Sequence, residues 1–100
     1  MKERLIKIVL SPNPKKKYRA IVSKGERTRS IDFGARGYDQ FTDSTKLHKF
    51  KARDHHDKKR RERYFLRHSG VASKAQALQK ETRKSGGLYN PKILSHKFLW

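Results

Sequence analysis

Residues 54–68, DHHDKKRRERYFLRH, hold the side chains of this chain best suited to chemistry, and they point in two directions. His55, His56 and His68, with His48 upstream and Asp54 and Asp57 beside them, are nitrogen and oxygen donors of the kinds that ligate divalent metals. Adjacent His55 and His56 face different sides of a helix, however, no cysteine is available, and the neighbouring cations repel a metal ion. Lys58, Lys59, Arg60, Arg61, Arg63 and Arg67 suit a polyanion instead. If the segment is helical, Lys59, Arg60, Arg63 and Arg67 fall at spacings of three and four and form a stripe roughly 12 Å long. Arginine contacts a phosphate through two parallel N–H donors where lysine acts as a point charge, and from residue 60 to 67 every base is arginine. Two plainer uses of the same run stay open: a solvated helix face, or an import signal in KKRRER.

A basic stripe needs a scaffold. From Arg4 to Phe33 the apolar residues are mostly β-branched or aromatic and come in short runs broken by turn residues, as strands do. RLIKIVL reads as a first strand stopped by SPNP, YRAIVSK as a second, and TRSIDF as a third after a reversal at Gly25-Glu26. Alternation places Ile6 and Ile8 on one face, with Tyr18, Ala20 and Val22, then Ile31 and Phe33 beside Arg29. A sheet with one apolar side requires a cover.

Past the Gly-rich connection GARGYDQFTD the pattern turns helical. Asp43 or Ser44 is placed to cap a short helix through Leu47 and Phe50, and Asp54 or Asp57 to start the basic helix, which His68-Ser69-Gly70 ends. Ser73 and Gln76 form a capping box for KAQALQKETRK, closed by Gly86-Gly87, and Asn90-Pro91 opens a final helix, KILSHKFLW. The expected architecture is one small α+β domain over residues 1–100. It has a three-stranded antiparallel sheet (4–33), a Gly-rich connection (34–43) and a helical part (44–100) of about three short helices packed on one face.

The composition makes the core lean and the exterior cationic. Hydrophobic residues are 33% of 100, while 27 Lys and Arg against 9 Asp and Glu leave +18. Such a molecule repels itself when compact, and a polyanion relieves that repulsion. The excess is spread over the chain, which argues for a partner that surrounds the protein and against one sequence-reading helix on a neutral scaffold. Short apolar runs at both ends, one interrupted by Lys7, contain neither a secretion signal nor a membrane span, so the chain reads as soluble and intracellular.

Smaller basic clusters add to the stripe. Lys24, Arg27 and Arg29 gather near the hairpin tip, where they serve a groove-entering ribbon or simply guard a sheet edge. Lys15, Lys16 and Lys17 follow Pro14. Arg36 sits between Gly34 and Gly37 in GARG, similar to the glycine-flanked clamp of one RNA-binding fold, although here the loop follows a strand. No paired carboxylates, nucleophile–base set or nucleotide-phosphate loop appears, so neither an enzyme nor a cofactor is expected.

In order along the chain, KYRAIV, SIDFGARGYDQFT, DKKRRERYFLRHSG and LSHKFLW resemble a family of small basic proteins encoded by nucleo-cytoplasmic large DNA viruses. The motifs are Phe33-Gly34-Ala35, Gly37-Tyr38, Asp57 through His68, and Ser95 to Trp100, while SGVASKAQALQKET departs from the pattern. The family has no established activity. The resemblance implies a viral origin, residence in the virion and in host cytoplasm or nucleus during infection, core roles for Tyr64 and Trp100 that pin the last helix to the sheet, and a helix-end role for His68. Two functions follow as expectations: a non-enzymatic binder of nucleic acid, DNA before RNA, with little sequence preference, that compacts or packages a genome; or a minor virion protein whose charge joins acidic capsid surfaces.

Overall fold

The computed structural model of the chain describes residues 3–100. Strands β1 (Arg4–Leu10), β2 (Lys16–Lys24) and β3 (Arg27–Ala35) form one antiparallel sheet in the order β1-β2-β3. Lys24 pairs with Arg27 across Gly25-Glu26, and Gly25 supplies the positive φ, 62°, that a two-residue hairpin turn demands. Helices α1 (Lys58–Ser69), α2 (Lys74–Lys84) and α3 (Pro91–Phe98) follow, so the α+β class and the sheet-then-helices order hold. No helix among the described residues is long and apolar enough to cross a membrane.

Simple alternation fails in β1. Leu5 pairs with Val22 and Lys7 with Ile21, leaving Ile6 as the extra residue of a bulge. The bulge reverses the phase of the strand: Leu5 and Ile8 pack against the core, and Ile6 is 53% exposed rather than sharing a face with Ile8. Across the sheet Tyr18, Ala20, Val22, Ile31 and Phe33 do share one face, covered by Leu94 of α3 and Leu99 just beyond it. Gly34 permits that closure, because a Cβ there would stand 2.8 Å from Leu99 Cδ1, and its φ of 76° disfavours any other residue.

The short helix through Leu47 and Phe50 does not form; a single 3₁₀ turn, Lys51–Arg53, is the only helical piece between β3 and α1. Asp43 has another use. Its buried carboxylate accepts hydrogen bonds from Tyr18 Oη, from Thr45 N (3.0 Å) and Oγ1 (2.6 Å), and from Phe50 N (3.2 Å). Burial opposes its charge, yet the bonds from Thr45, Tyr18 and Phe50 hold the carboxyl below its ordinary value. Ser44 meanwhile donates through N and Oγ to Phe98 O, at 2.9 and 2.7 Å. Backbone donors that would begin a helix are drawn to the end of α3 and to a buried acid, so the segment runs irregularly.

The helix boundaries follow their caps. Asp57 accepts from Lys59 N and Arg60 N, Ser73 from Gln76 N and Asn90 from Ile93 N, with Pro91 at the first position of α3 and Gly70 left-handed after α1. A buried relay ties the three helices together. Ser69 Oγ donates to Glu81 Oε2 (2.9 Å), so it accepts from His96 Nε2–H (2.8 Å), and His96 Nδ1 accepts from Tyr64 Oη (2.9 Å). Burial keeps His96 neutral, lowering its pKa to about 4. Serine here gives its proton to the carboxylate, and the imidazole is hydrogen-bonded to Tyr64 and Ser69 and to no acid, so this is a staple and not a nucleophile–base pair.

Candidate nucleic-acid interface

Helix α1 buries two residues, Phe65 and Ser69. Phe65 is fully buried, while Leu66, its neighbour in sequence, is 51% exposed and anchors nothing. With Phe65 and Ser69 turned inward, helical spacing carries Arg60, Arg63, Tyr64, Arg67 and His68 to another face. That face forms one wall of an open groove of about 800 Å³, whose other sides are Lys16, Lys17, Gly34 and Ala35 at the open end of the β2–β3 hairpin, Tyr38–Gln40, and Pro91, Lys92 and Ser95 of α3.

Arg60, Arg63 and Arg67 form no ion pair among the described residues. Arg63 makes one long contact, Nε to Lys59 O at 3.3 Å. Opposite them, Lys16 lines the groove from the sheet; Lys92 lines it from α3 and also reaches Glu81 Oε1 (3.7 Å) and His68 O (3.1 Å). Asp39 is the acid among the lining residues, and Arg53 stands 3.6 Å from it. With Asp39 engaged by Arg53, the lining is cationic in excess, and a cleft with such an excess concentrates anions. Tyr64 and Trp100 stack at 4.1 Å and 6°, joining α1 to the end of α3; both are half-buried, Trp100 packing against the edge of the sheet core while Tyr64 lies outside that cluster and braces the groove wall. His68 leans on Tyr64 (4.5 Å between rings) and makes no side-chain cap; burial, with Arg67 and Lys92 close by, lowers its pKa.

The other cations considered from sequence scatter. Lys58 and Lys59 are exposed on the first turn of α1 and outside the groove, and Arg61 lies over the Phe41 ring at 4.3 Å. Lys24 and Arg27 are exposed at the hairpin tip, eight residues along β2 from Lys16, or about 26 Å at 3.3 Å per residue. Tip and groove are therefore separate surfaces. Lys15 is exposed at the turn before β2.

Three of them are not free phosphate contacts at all. Lys17 is 2% exposed: Nζ donates to Tyr38 O (2.7 Å) and to Gln40 Oε1, and burial lowers its pKa to about 8. Arg29 grips Glu3 with two bonds of 2.7 and 2.8 Å and also donates to Tyr89 O. Arg36 donates to Lys16 O (2.6 Å) and Ser11 O (3.0 Å). Conversely, sequence reasoning missed Lys92 and Tyr38 as groove residues. Lys92 follows the Asn90-Pro91 cap with nothing local to single it out, whereas an aromatic in a Gly-rich connection was a usable signal for Tyr38.

Among the described residues no group of three or more His, Asp or Glu is placed to hold a metal ion. Residues 6–49 match DUF5754, a family of unknown function. That match takes in most of β1, all of β2 and β3 and the Gly-rich connection, hence Lys16, Lys17 and Tyr38, and stops short of the arginines of α1. No curated protein and no solved structure matches the chain.

Proposed function

We propose that this protein binds nucleic acid without catalysing a reaction, holding the phosphate backbone in the groove beside α1 with little preference for sequence. The observation that carries the reading is the alignment of Arg60, Arg63 and Arg67, free of acid partners among the described residues, along one wall of a groove that Lys16 and Lys92 face from the sheet and α3. Guanidinium groups present their N–H donors in the geometry a phosphate accepts. The general charge supports it too: besides Arg19, Arg29, Arg53 and Lys92, no lysine or arginine pairs with an acid among the described residues. We propose compaction or packaging of a viral DNA genome as the role such binding would serve, a role drawn from the charge and not from the family resemblance, which carries no established activity.

Salt titration on duplex DNA tests this. Five groove cations predict a slope of log affinity on log salt of about −4 to −5, from roughly 0.9 per neutralised phosphate. Arg60→Glu combined with Arg63→Glu should weaken binding at least tenfold and flatten the slope by about two or more, with thermal melting unchanged within a few degrees. Unaltered affinity in the double variant overturns the groove as the site. Absence of DNA binding at moderate salt, with retention on acidic capsid proteins instead, replaces this reading with the structural one.

A further inference from the structure

The groove has a feature that phosphate binding leaves unused. Tyr38 stands at its rim, 71% exposed, on the residue after Gly37, whose φ is 86°. The other aromatic rings of the lining already have ring partners: Trp100 lies between Tyr64 (4.1 Å) and His55 (5.3 Å), and Tyr64 also meets His68 and His96. The Tyr38 ring has none among the described residues. Its backbone, by contrast, is fixed. The carbonyl accepts from buried Lys17 Nζ at 2.7 Å, and two residues on, Gln40 donates to Phe50 O (2.8 Å) and Asp54 Oδ1 (2.6 Å). A rigid backbone that holds an unpaired aromatic face beside guanidinium groups combines the two components of single-strand recognition, a stacking platform and a cationic track. In a duplex the bases are already stacked on one another, so such a ring finds no free face there.

Resting on the phosphate-binding reading above, we propose that the groove takes single-stranded nucleic acid, with one unpaired base stacked on Tyr38 and neighbouring phosphates on Arg60, Arg63 and Arg67. Base–aromatic stacking tolerates any base, which fits weak sequence preference. Lys17 and Gln40 are then positioning residues for the ring.

Fluorescence anisotropy with three probes of equal length, about a dozen nucleotides, decides the matter: an oligothymidylate, an abasic strand with the same phosphates, and a duplex. The wild type should bind the oligothymidylate roughly tenfold tighter than the abasic strand. Tyr38→Ala should erase that gap without changing affinity for the abasic strand, and Tyr38→Phe should keep it. Since Tyr38 is exposed, thermal melting of both variants should match the wild type. Equal binding of the two single strands by the wild type, or a gap that survives Tyr38→Ala, overturns the stacking site and leaves the phosphate groove standing. Undiminished binding of every probe by the Arg60→Glu, Arg63→Glu variant removes the groove itself.

Discussion

Basic residues crowd two parts of this molecule, the corner where β2 begins and β3 ends and the helix α1, and the two parts use them oppositely. At the corner Lys17 is buried on Tyr38 O and Gln40, and Arg36 is bound to Lys16 O and Ser11 O with Phe50 5.5 Å beneath it. Along α1, Arg60 and Arg67 have no hydrogen-bonded partner among the described residues, and Arg63 has one distant carbonyl. The difference lies in the backbone. A helix satisfies its own carbonyls, so arginines carried on it meet few competing acceptors and keep their donors for a ligand. Loops and strand ends leave carbonyls over, and a nearby cation is drawn to them. Counting charges in a sequence gives their number; the secondary structure around each decides its availability.

The contrast is broken most severely by removing what holds α1 in place. Phe65→Ala empties a fully buried site and should destabilise by about 3–5 kcal/mol, comparable with the whole stability of so lean a domain. Circular dichroism should find the variant largely unfolded at 25 °C, with DNA affinity lost along with the fold. A melting temperature near that of the wild type would mean that α1 and its arginines are held by something else.

Acid should act next, through the relay beneath the same helix. In an unfolded chain the His96 imidazole titrates near about 6.5; in the fold, burial delays its protonation to about 4. Between those values the unfolded chain carries the extra proton, so stability is fully present above about pH 6.5 and falls as pH drops toward 4, by on the order of 3 kcal/mol. Glu81 adds to the loss below its ordinary range. Burial raises its pKa, but the hydrogen bond from Ser69 and the charge of Lys92 outweigh that, leaving the carboxyl lower in the fold than unfolded. Urea midpoints measured from pH 7 to pH 4 should decline over this window, and His96→Gln should flatten the decline. A flat profile in the wild type would show that the imidazole is not the group that titrates.

What could be read beforehand divides along sequence distance. Caps at Ser73 and Asn90 act within three residues and were legible, as was the choice of Asp54 or Asp57 for α1, which the structure settles on Asp57; so were the turn at Gly25 and the i, i+3, i+4 spacing that groups Arg60, Arg63 and Arg67. The failures depend on distant partners. Asp43 looked like a helix cap because Tyr18, whose hydroxyl it binds, lies 25 residues away; Lys17 looked like a surface charge because Gln40 is 23 residues on. The relay unites Tyr64, Ser69, Glu81 and His96 from three helices, and no local pattern announces it. The Ile6 bulge is a nearer miss, since only a shift of phase lets both Leu5 and Ile8 face the core.

The finest test lies in consecutive lysines. Lys16 and Lys17 are identical in sequence terms, yet Lys16 lines the groove half-exposed and Lys17 is buried with its ammonium engaged. Lys17→Met keeps the aliphatic stem and strands the acceptors Tyr38 O and Gln40 Oε1, a loss of about 1–3 kcal/mol. Each kcal/mol lowers the melting temperature of a domain this size by about 4–8 °C. The salt slope of duplex DNA binding should stay as in the wild type, because no phosphate contact has gone. Lys16→Met should do the reverse: the melting temperature holds, and the slope flattens by about one. Because counterion release counts phosphates directly, a flatter slope in Lys17→Met would put its ammonium on the ligand and remove the distinction between cations bound by the fold and cations left for a partner.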